Sequence, residues 1–419
     1  MNAASCHYRS NRNFWVFGAF FFIYFFIMAT CFPFLPIWLH EVVGLNKTET
    51  GIVFSSLSFF AIIFQPVLGV LSDKLGVKKY LLWVITVLLL FFAPFFLYVF
   101  APVLKVNVVL GALLGGLYIG FAFNSGAGAI EAYVERISRQ SAFEYGKARM
   151  FGCFGWGVCA STAGILFSVN PDIVFWMGSG AAVLLVVLLL IAKTDKSQMV
   201  AINNVLGANA SKFKIKLVSD LFKQREFWLL VLYAVGVACI YDVFDQQFAS
   251  FFKSFFDSPE RGNVVYGFVT TGGEAANALI MFFSPWIISR IGAKNALLVA
   301  GGIMSIRILG SSIATTVAEV VFLKMLHAFE VPFLLIGIFK YISNVFDSRL
   351  SATIYLVGFQ FSKQLMSIFL SSMTGNMYDR IGFNNTYMIL GFIALTFTVL
   401  SAFTLTGNTK KKAACALAT

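Results

Sequence analysis

Charge is scarce in this chain. Only 12% of its 419 residues are Asp, Glu, Lys or Arg, about half the share a soluble domain carries. Acidic residues number 19 against 31 basic ones, and histidines only three. A chain so poor in charge cannot clothe a water-facing globule, so that class is excluded. Alternating polar and apolar runs are missing too, which excludes a spanning β-barrel. Cysteine is sparse: Cys6, Cys31, Cys153, Cys159, Cys239 and Cys415 match no metal-binding spacing, and most fall inside apolar runs. They read as free thiols, and nothing calls for a metal or cofactor. No small-residue cleavage site follows the first apolar run, so that run reads as a span rather than a removed leader.

What is abundant is apolar surface. Hydrophobic residues make up 59% of the chain, and Phe alone occurs 49 times. A spanning helix takes about 20 apolar residues, and about twelve such runs occur. In lipid every backbone polar group must be paired internally, so these runs are helices. The expected spans are 14–39, 50–71, 80–102, 108–135, 146–168, 172–193, 226–252, 264–288, 295–314, 317–342, 350–374 and 384–406. Pro33 and Pro36 should bend the outer end of the first. Residues 194–224 are polar and lysine-rich and read as a linker. The domains are therefore 1–193, the linker 194–224, and 225–419 with a short tail.

The net charge of +12 does not mark a nucleic-acid binder, because the basic residues are spread over short loops of one side. That side collects Arg9, Arg12, Lys74, Lys78, Lys79, Arg136, Arg139, Lys147, the linker lysines, Arg290, Lys294, Lys340, Arg349 and Lys410 to Lys412. The other receives Lys47, Lys105, Lys253, Arg261 and Arg380. The positive-inside rule then puts both termini and the linker in the cytoplasm. The two halves also echo each other. Arg290, Gly292 and Lys294 follow the second span of their half as Lys74, Gly76 and Lys78 follow the second span of theirs. Repeated halves with a midplane site are a transporter architecture.

Ionisable residues inside the spans are the candidates for function, because charge in hydrocarbon is costly unless paired or facing water. Lys324, His327 and Glu330 stand three apart and form one ridge of a helix. A His beside a Glu among apolar neighbours reads as a proton site, with a buried ion pair as the structural alternative. Arg307 is the one charge in span nine. A cation facing Glu330 helps it release a proton, while burial helps it hold one. In span four Glu131 follows a run of small residues that leave room for a ligand, with an interfacial charge near the inner end as the structural alternative. In span five Arg149, Cys153 and Trp156 share a helix face. A forking guanidinium and an indole two turns away suit a sugar, although Trp is also common at membrane interfaces. In span seven Asp242 and Asp245 call for cations, and Lys324 and Lys363 are the available supply; structural ion pairs are the favoured role. In span eight Glu274 and Asn277 form a second polar wall.

Several stretches together resemble a known family. Phe32-Pro33-Phe34-Leu35-Pro36-Ile37-Trp38-Leu39, Ala148-Arg149-Met150-Phe151-Gly152-Cys153, Tyr241-Asp242-Val243-Phe244-Asp245-Gln246-Gln247-Phe248 and Leu326-His327 to Glu330-Val331-Pro332-Phe333 resemble the oligosaccharide/proton symporters of the major facilitator superfamily, the family of the enteric lactose permeases. Within it the chain looks most like the melibiose-transporting members. The resemblance runs from about residue 13 to about 407. It implies an all-α polytopic membrane protein of twelve transmembrane helices in two pseudo-symmetric six-helix bundles. It implies that Glu131 and Arg149 bind galactosyl hydroxyls, that Trp156 stacks on the ring, and that Glu274, Asn277 and His327 complete the sugar site. Glu274 and His327 would link sugar to protonation, Glu330 would carry the proton, and Arg307 would assist its loss. Asp242 would pair with Lys363, and Asp245 with Lys324. Gly128 departs from the family pattern, where Pro is expected, and the linker and tail are dissimilar.

The expectation is a symporter of a galactoside disaccharide, of melibiose or lactose type, with a proton. It works by alternating access in a bacterial inner membrane, as a monomer in the lipid bilayer. No nucleic acid partner is expected. A carrier without obligatory coupling is one rival. A membrane enzyme acting on lipid-linked sugar is the other; it lacks a metal-binding acidic motif or loop nucleophile.

Overall fold

The computed structural model describes residues 3–75, 78–141, 143, 145–192, 221–346 and 354–407, and every regular element among them is helical. Residues 193–220, which hold most of the expected linker 194–224, residues 76–77 of the loop after the second span, and the basic tail lie outside the described residues.

The first span, α1 (Arg12–Val43), loses its helix after Cys31 and resumes it at Leu35. Pro33 lies inside that gap and accounts for it, since it cannot donate a helical hydrogen bond, while Pro36 sits in the first turn of the resumed helix, where a missing N–H costs nothing. Its C-terminal end closes on Gly44 at φ +91°, a left-handed terminus that favours glycine. Next come α2 (Lys47–Leu68) and α3, the pair Tyr80–Leu90 and Phe92–Val106 bent by 55°. Pro94 explains the bend, because it has no N–H for the Leu90 carbonyl four residues back. Then follow α4 (Val108–Glu131), α5 (Lys147–Val169) and α6 (Pro171–Ile191). Asn107 and Asn170 cap α4 and α6 by accepting from Leu110 and Asp172 backbone N–H groups.

The second set begins with α7 (Arg225–Gln246). The helix α8 (Pro259–Ile291) has 33 residues, ample for a crossing, but its Glu260, Arg261, Glu274 and Arg290 make it the least apolar. Next are α9 (Ala293–Ile313) and α10 (Val317–Val345). The apolar run Ile354–Thr404 spans 51 residues, too long for one crossing. It breaks at Gly382, φ +78°, into α11 (354–381) and α12 (383–404). Counted so, the described spans number twelve, as the hydropathic runs require.

By packing, the chain divides into two compact units. One comprises Met1–Val205 with Ala249–Ala275, and the other Leu206–Phe248 with Ala276–Thr419. In the first, α1 and α5 approach closely, and a Cβ at Gly155 would sit 2.1 Å from the Phe22 carbonyl oxygen. A ring cluster of Trp38, Phe96 and Phe175 fills the neighbouring core, with Phe96 and Phe175 centroids 4.7 Å apart. Arg12 and Lys79 donate to the last carbonyls of α6, at Ile191, Leu189 and Ala192, satisfying oxygens that a helix end leaves open. The stretch Ala249–Ala275 is bound into this unit by an ion pair from buried Lys253 to Glu41 and by Tyr266 against Phe34. In the second unit α9 packs on α12, with Gly391 against Leu309 and Gly301 against Thr398.

Candidate functional site

Two groups of polar side chains stand out, one in each unit. In the first unit Glu131 ends α4 and Arg149 lies in the first turns of α5. Arg149 Nε donates to Glu131 Oε1 at 2.8 Å, and both side chains are about a third exposed. The Arg149 guanidinium lies 3.9 Å from the centre of the Phe25 ring, a cation–π contact that fixes its plane. Cys153, one turn along, is within electrostatic reach of Arg149, Glu274 and Glu131. Trp156 is half-buried on the same helix. Sequence order puts Glu274 in the second set of spans, yet by packing it belongs to the first unit. The Thr271 hydroxyl donates to the Gly157 carbonyl at 2.6 Å, and Gly157 would place a Cβ 3.6 Å from Glu274 Cβ. Asn277, buried one turn further along α8, falls in the second unit.

The second group is the more buried. Arg307 and Glu330 are both fully buried, with Nη1 to Oε2 at 3.1 Å. Arg307 Nη2 also meets Asp245 Oδ1 at 2.6 Å, nearer than Lys324 Nζ at 3.8 Å. Asp245 therefore has two cations, and the guanidinium is the closer. Phe248, Phe244 and Tyr241 present their rings to Arg307, centroids 4.8 to 5.4 Å from Cζ. His327 Nδ1 lies 3.5 Å from Glu330 Oε2. Separately, Lys363 Nζ lies 2.7 Å from Asp242 Oδ2.

Tyr241 joins these residues, and sequence reasoning gave it no role. Its hydroxyl accepts from Arg307 Nη1 at 2.6 Å and lies 2.5 Å from His327 Nδ1. With its oxygen accepting from the guanidinium, the phenol proton is free to donate to the imidazole. The spacing that could have found it is Tyr241 to Asp245, four apart on the face that meets Arg307.

Local backbone features position these groups. The helix of α10 breaks at Leu326 and restarts at His327. Glu330 thus lies in the first turn of the restarted helix, the end at which the helix dipole favours negative charge. Pro332 then has no N–H for the Ala328 carbonyl. Three π-helical stretches, Gly120–Ser125, Ala234–Cys239 and Ile354–Phe361, end just ahead of Glu131, Tyr241 and Lys363. Such stretches recur at functional positions.

The charges of the second group balance when Glu330 is ionised: Arg307 and Lys324 stand against Asp245 and Glu330. One oxygen of Glu330 is paired and the other, Oε1, is buried without a hydrogen-bond partner among the described residues. A bare, buried carboxylate oxygen is costly while the group is charged and far less so once it is protonated. The site therefore suits a group that takes up and gives back a proton. Among the described residues no cluster of His, Cys, Asp or Glu could hold a metal ion.

Helices long and apolar enough to cross a bilayer, with a balanced charge group buried in the second unit, define a multi-pass membrane protein of the transporter class. The chain matches the LacY proton/sugar symporter family over residues 6–416 and belongs to that family. It is 66% identical to the raffinose permease of Escherichia coli over 97% of its own length and 96% of that protein's. It is likewise 66% identical to the melibiose permease of Enterobacter cloacae, over 100% and 98% of the two chains. Its fold matches the crystal structure of the nucleoside transporter NupG with a TM-score of 0.75 at 14% identity, covering 94% of this chain and 98% of that one. The fold is that of the major facilitator transporters, and the protein is a multi-pass inner-membrane symporter of sugar and protons.

Proposed function

We propose that the cargo is a galactoside, of melibiose or raffinose type, taken up with a proton by alternating access. The relatives' names support the sugar class. The state of Glu330 carries the coupling: one oxygen on Arg307, the other bare, and no exposure to water. Protonation of Glu330 comes first, then sugar binding at Glu131, Arg149, Trp156, Glu274, Asn277 and His327. The loaded carrier turns, the sugar leaves, and the proton follows with Arg307 reclaiming the carboxylate. Asp242 with Lys363, and Asp245 with Lys324 and the nearer Arg307, keep the remaining intramembrane charges paired. The protein acts as a monomer in the bilayer, in two halves of six spans (1–193 and 225–419), with both termini and residues 194–224 in the cytoplasm.

The test is sugar-induced alkalinisation of the medium by de-energised cells, over a panel of α- and β-galactosides. Melibiose and raffinose should raise the external pH on addition. Sugar entry with no pH change would sink the coupling, and alkalinisation by non-galactosides alone would sink the sugar class.

A further inference from the structure

We propose that Thr271 is a positioning residue that sets Glu274 against α5. This rests on Glu274 belonging to the sugar site. In the first unit α8 and α5 run in opposite directions along a seam of small residues. A Cβ at Gly164 would sit 2.8 Å from the Asn263 carbonyl oxygen, and one at Gly267 would sit 2.4 Å from the Ala160 carbonyl oxygen. Backbone meets backbone there, and only glycine permits it. The seam continues along α8 through Asn263, Gly267 and Thr271 to Glu274, residues that share one helix face. Along α5 it runs through Gly164 and Ala160 to Gly157, one residue past Trp156.

Where the seam reaches Glu274 the packing loosens. The distance from a Cβ at Gly157 to Glu274 Cβ is an ordinary 3.6 Å, and Gly273 would place a Cβ in open space. Close packing thus stops short of the carboxylate, and the Thr271 hydroxyl ties α8 to α5 one turn before it. That hydroxyl has one proton and two acceptors: the Gly157 carbonyl on α5 at 2.6 Å, and the Gly267 carbonyl of its own helix at 3.0 Å. The shorter bond holds α8 to the Trp156–Gly157 edge of α5. The longer one gives the proton a partner whenever the two helices part. The tie can therefore open without leaving a donor unsatisfied. It fixes Glu274, one turn on, within electrostatic reach of Cys153, yet releases cheaply during transport.

The probe is binding of p-nitrophenyl α-galactoside to purified protein, with sugar-driven uptake alongside. Thr271→Val keeps the shape and removes the hydroxyl; Thr271→Ser keeps the hydroxyl. Thr271→Val should weaken binding about five- to tenfold, the size of one net hydrogen bond. The KM for uptake should rise with it, while the maximal rate at saturating sugar and the thermal midpoint stay near wild type. Thr271→Ser should bind as wild type does. Wild-type affinity in Thr271→Val would overturn the inference, as would equal weakening in Thr271→Ser or a loss of affinity that only tracks a fall in thermal midpoint. If wild-type protein ignored this probe, the galactoside reading would fall instead. The three proteins would then be compared with whichever sugar does elicit alkalinisation, and the same Val-weak, Ser-restored order would decide.

Discussion

Replacing Glu330 by Gln fixes the buried charge group in one state. Arg307 and Lys324 then face Asp245 alone, the balance that the protonated carboxyl gives. Glutamine is close in size, and its carbonyl can still accept from Arg307 Nη1, now 3.1 Å from Oε2, so folding should survive. The carrier is left permanently in its loaded charge state. With one proton per sugar, each 100 mV of driving force is worth about 2.3 kcal/mol. At 1.4 kcal/mol per factor of ten, that sustains a sugar gradient of about fiftyfold. Glu330→Gln should reduce accumulation from that figure to about onefold, while exchange of internal for external sugar keeps most of its rate. Right-side-out membrane vesicles loaded with labelled melibiose, assayed for both, separate the two. Uphill accumulation above about fivefold by this variant, at the same potential, would refute the assignment of the proton to Glu330. Loss of exchange along with accumulation would show instead that the residue is needed for folding or sugar binding.

Lys363→Met should cost most of the initial uptake rate, because it leaves Asp242 in a span with its 2.7 Å partner gone; Lys363→Met with Asp242→Asn should recover much of it, since removing both charges is far milder than removing one. Arg149→Lys should weaken sugar binding about a hundredfold, because an ammonium cannot fork between Glu131 and sugar hydroxyls, and equilibrium binding reads this directly. Gly155→Ala places a Cβ 2.1 Å from the Phe22 carbonyl oxygen. The resulting parting of α1 and α5 should lower stability by about 1–3 kcal/mol, seen as a fall in thermal midpoint in detergent.

Much of the fold was legible because hydropathy reads out spans directly. The break in α1 was visible beforehand in Pro33 and Pro36, whereas those at Pro94 and Gly382 emerged only with the structure. Helix α8 was the harder element, since its Glu260, Arg261, Glu274 and Arg290 dilute the apolar signal. For the candidate site, charge inside a span was the signal, and it picked out Arg307, Glu330, Asp245, Lys324, Asp242 and Lys363. What the sequence could not supply was partner choice. Asp245 had several cations to hand, and only tertiary geometry makes Arg307 the nearer, at 2.6 Å against 3.8 Å for Lys324. Tyr241 escaped because a phenol in an apolar run carries no net charge. The tie from Thr271 to Gly157 escaped because a hydroxyl bonded to a backbone oxygen 114 positions away has no local trace.

The stretch Ala234–Cys239 has a consequence for how α7 could have arisen. A π turn is an α-helix that absorbs one additional residue in a single wide turn, so the helix on either side keeps its facing. Excising a single codon within 234–239 would restore a plain helix and leave Tyr241, Asp242 and Asp245 close to their present facing. The same excision in the plain α-helical part of α7 would swing one side of the helix against the other by roughly 100°. A scan of one-residue deletions along α7 should therefore find tolerance confined to that turn, rather than a gradient with depth.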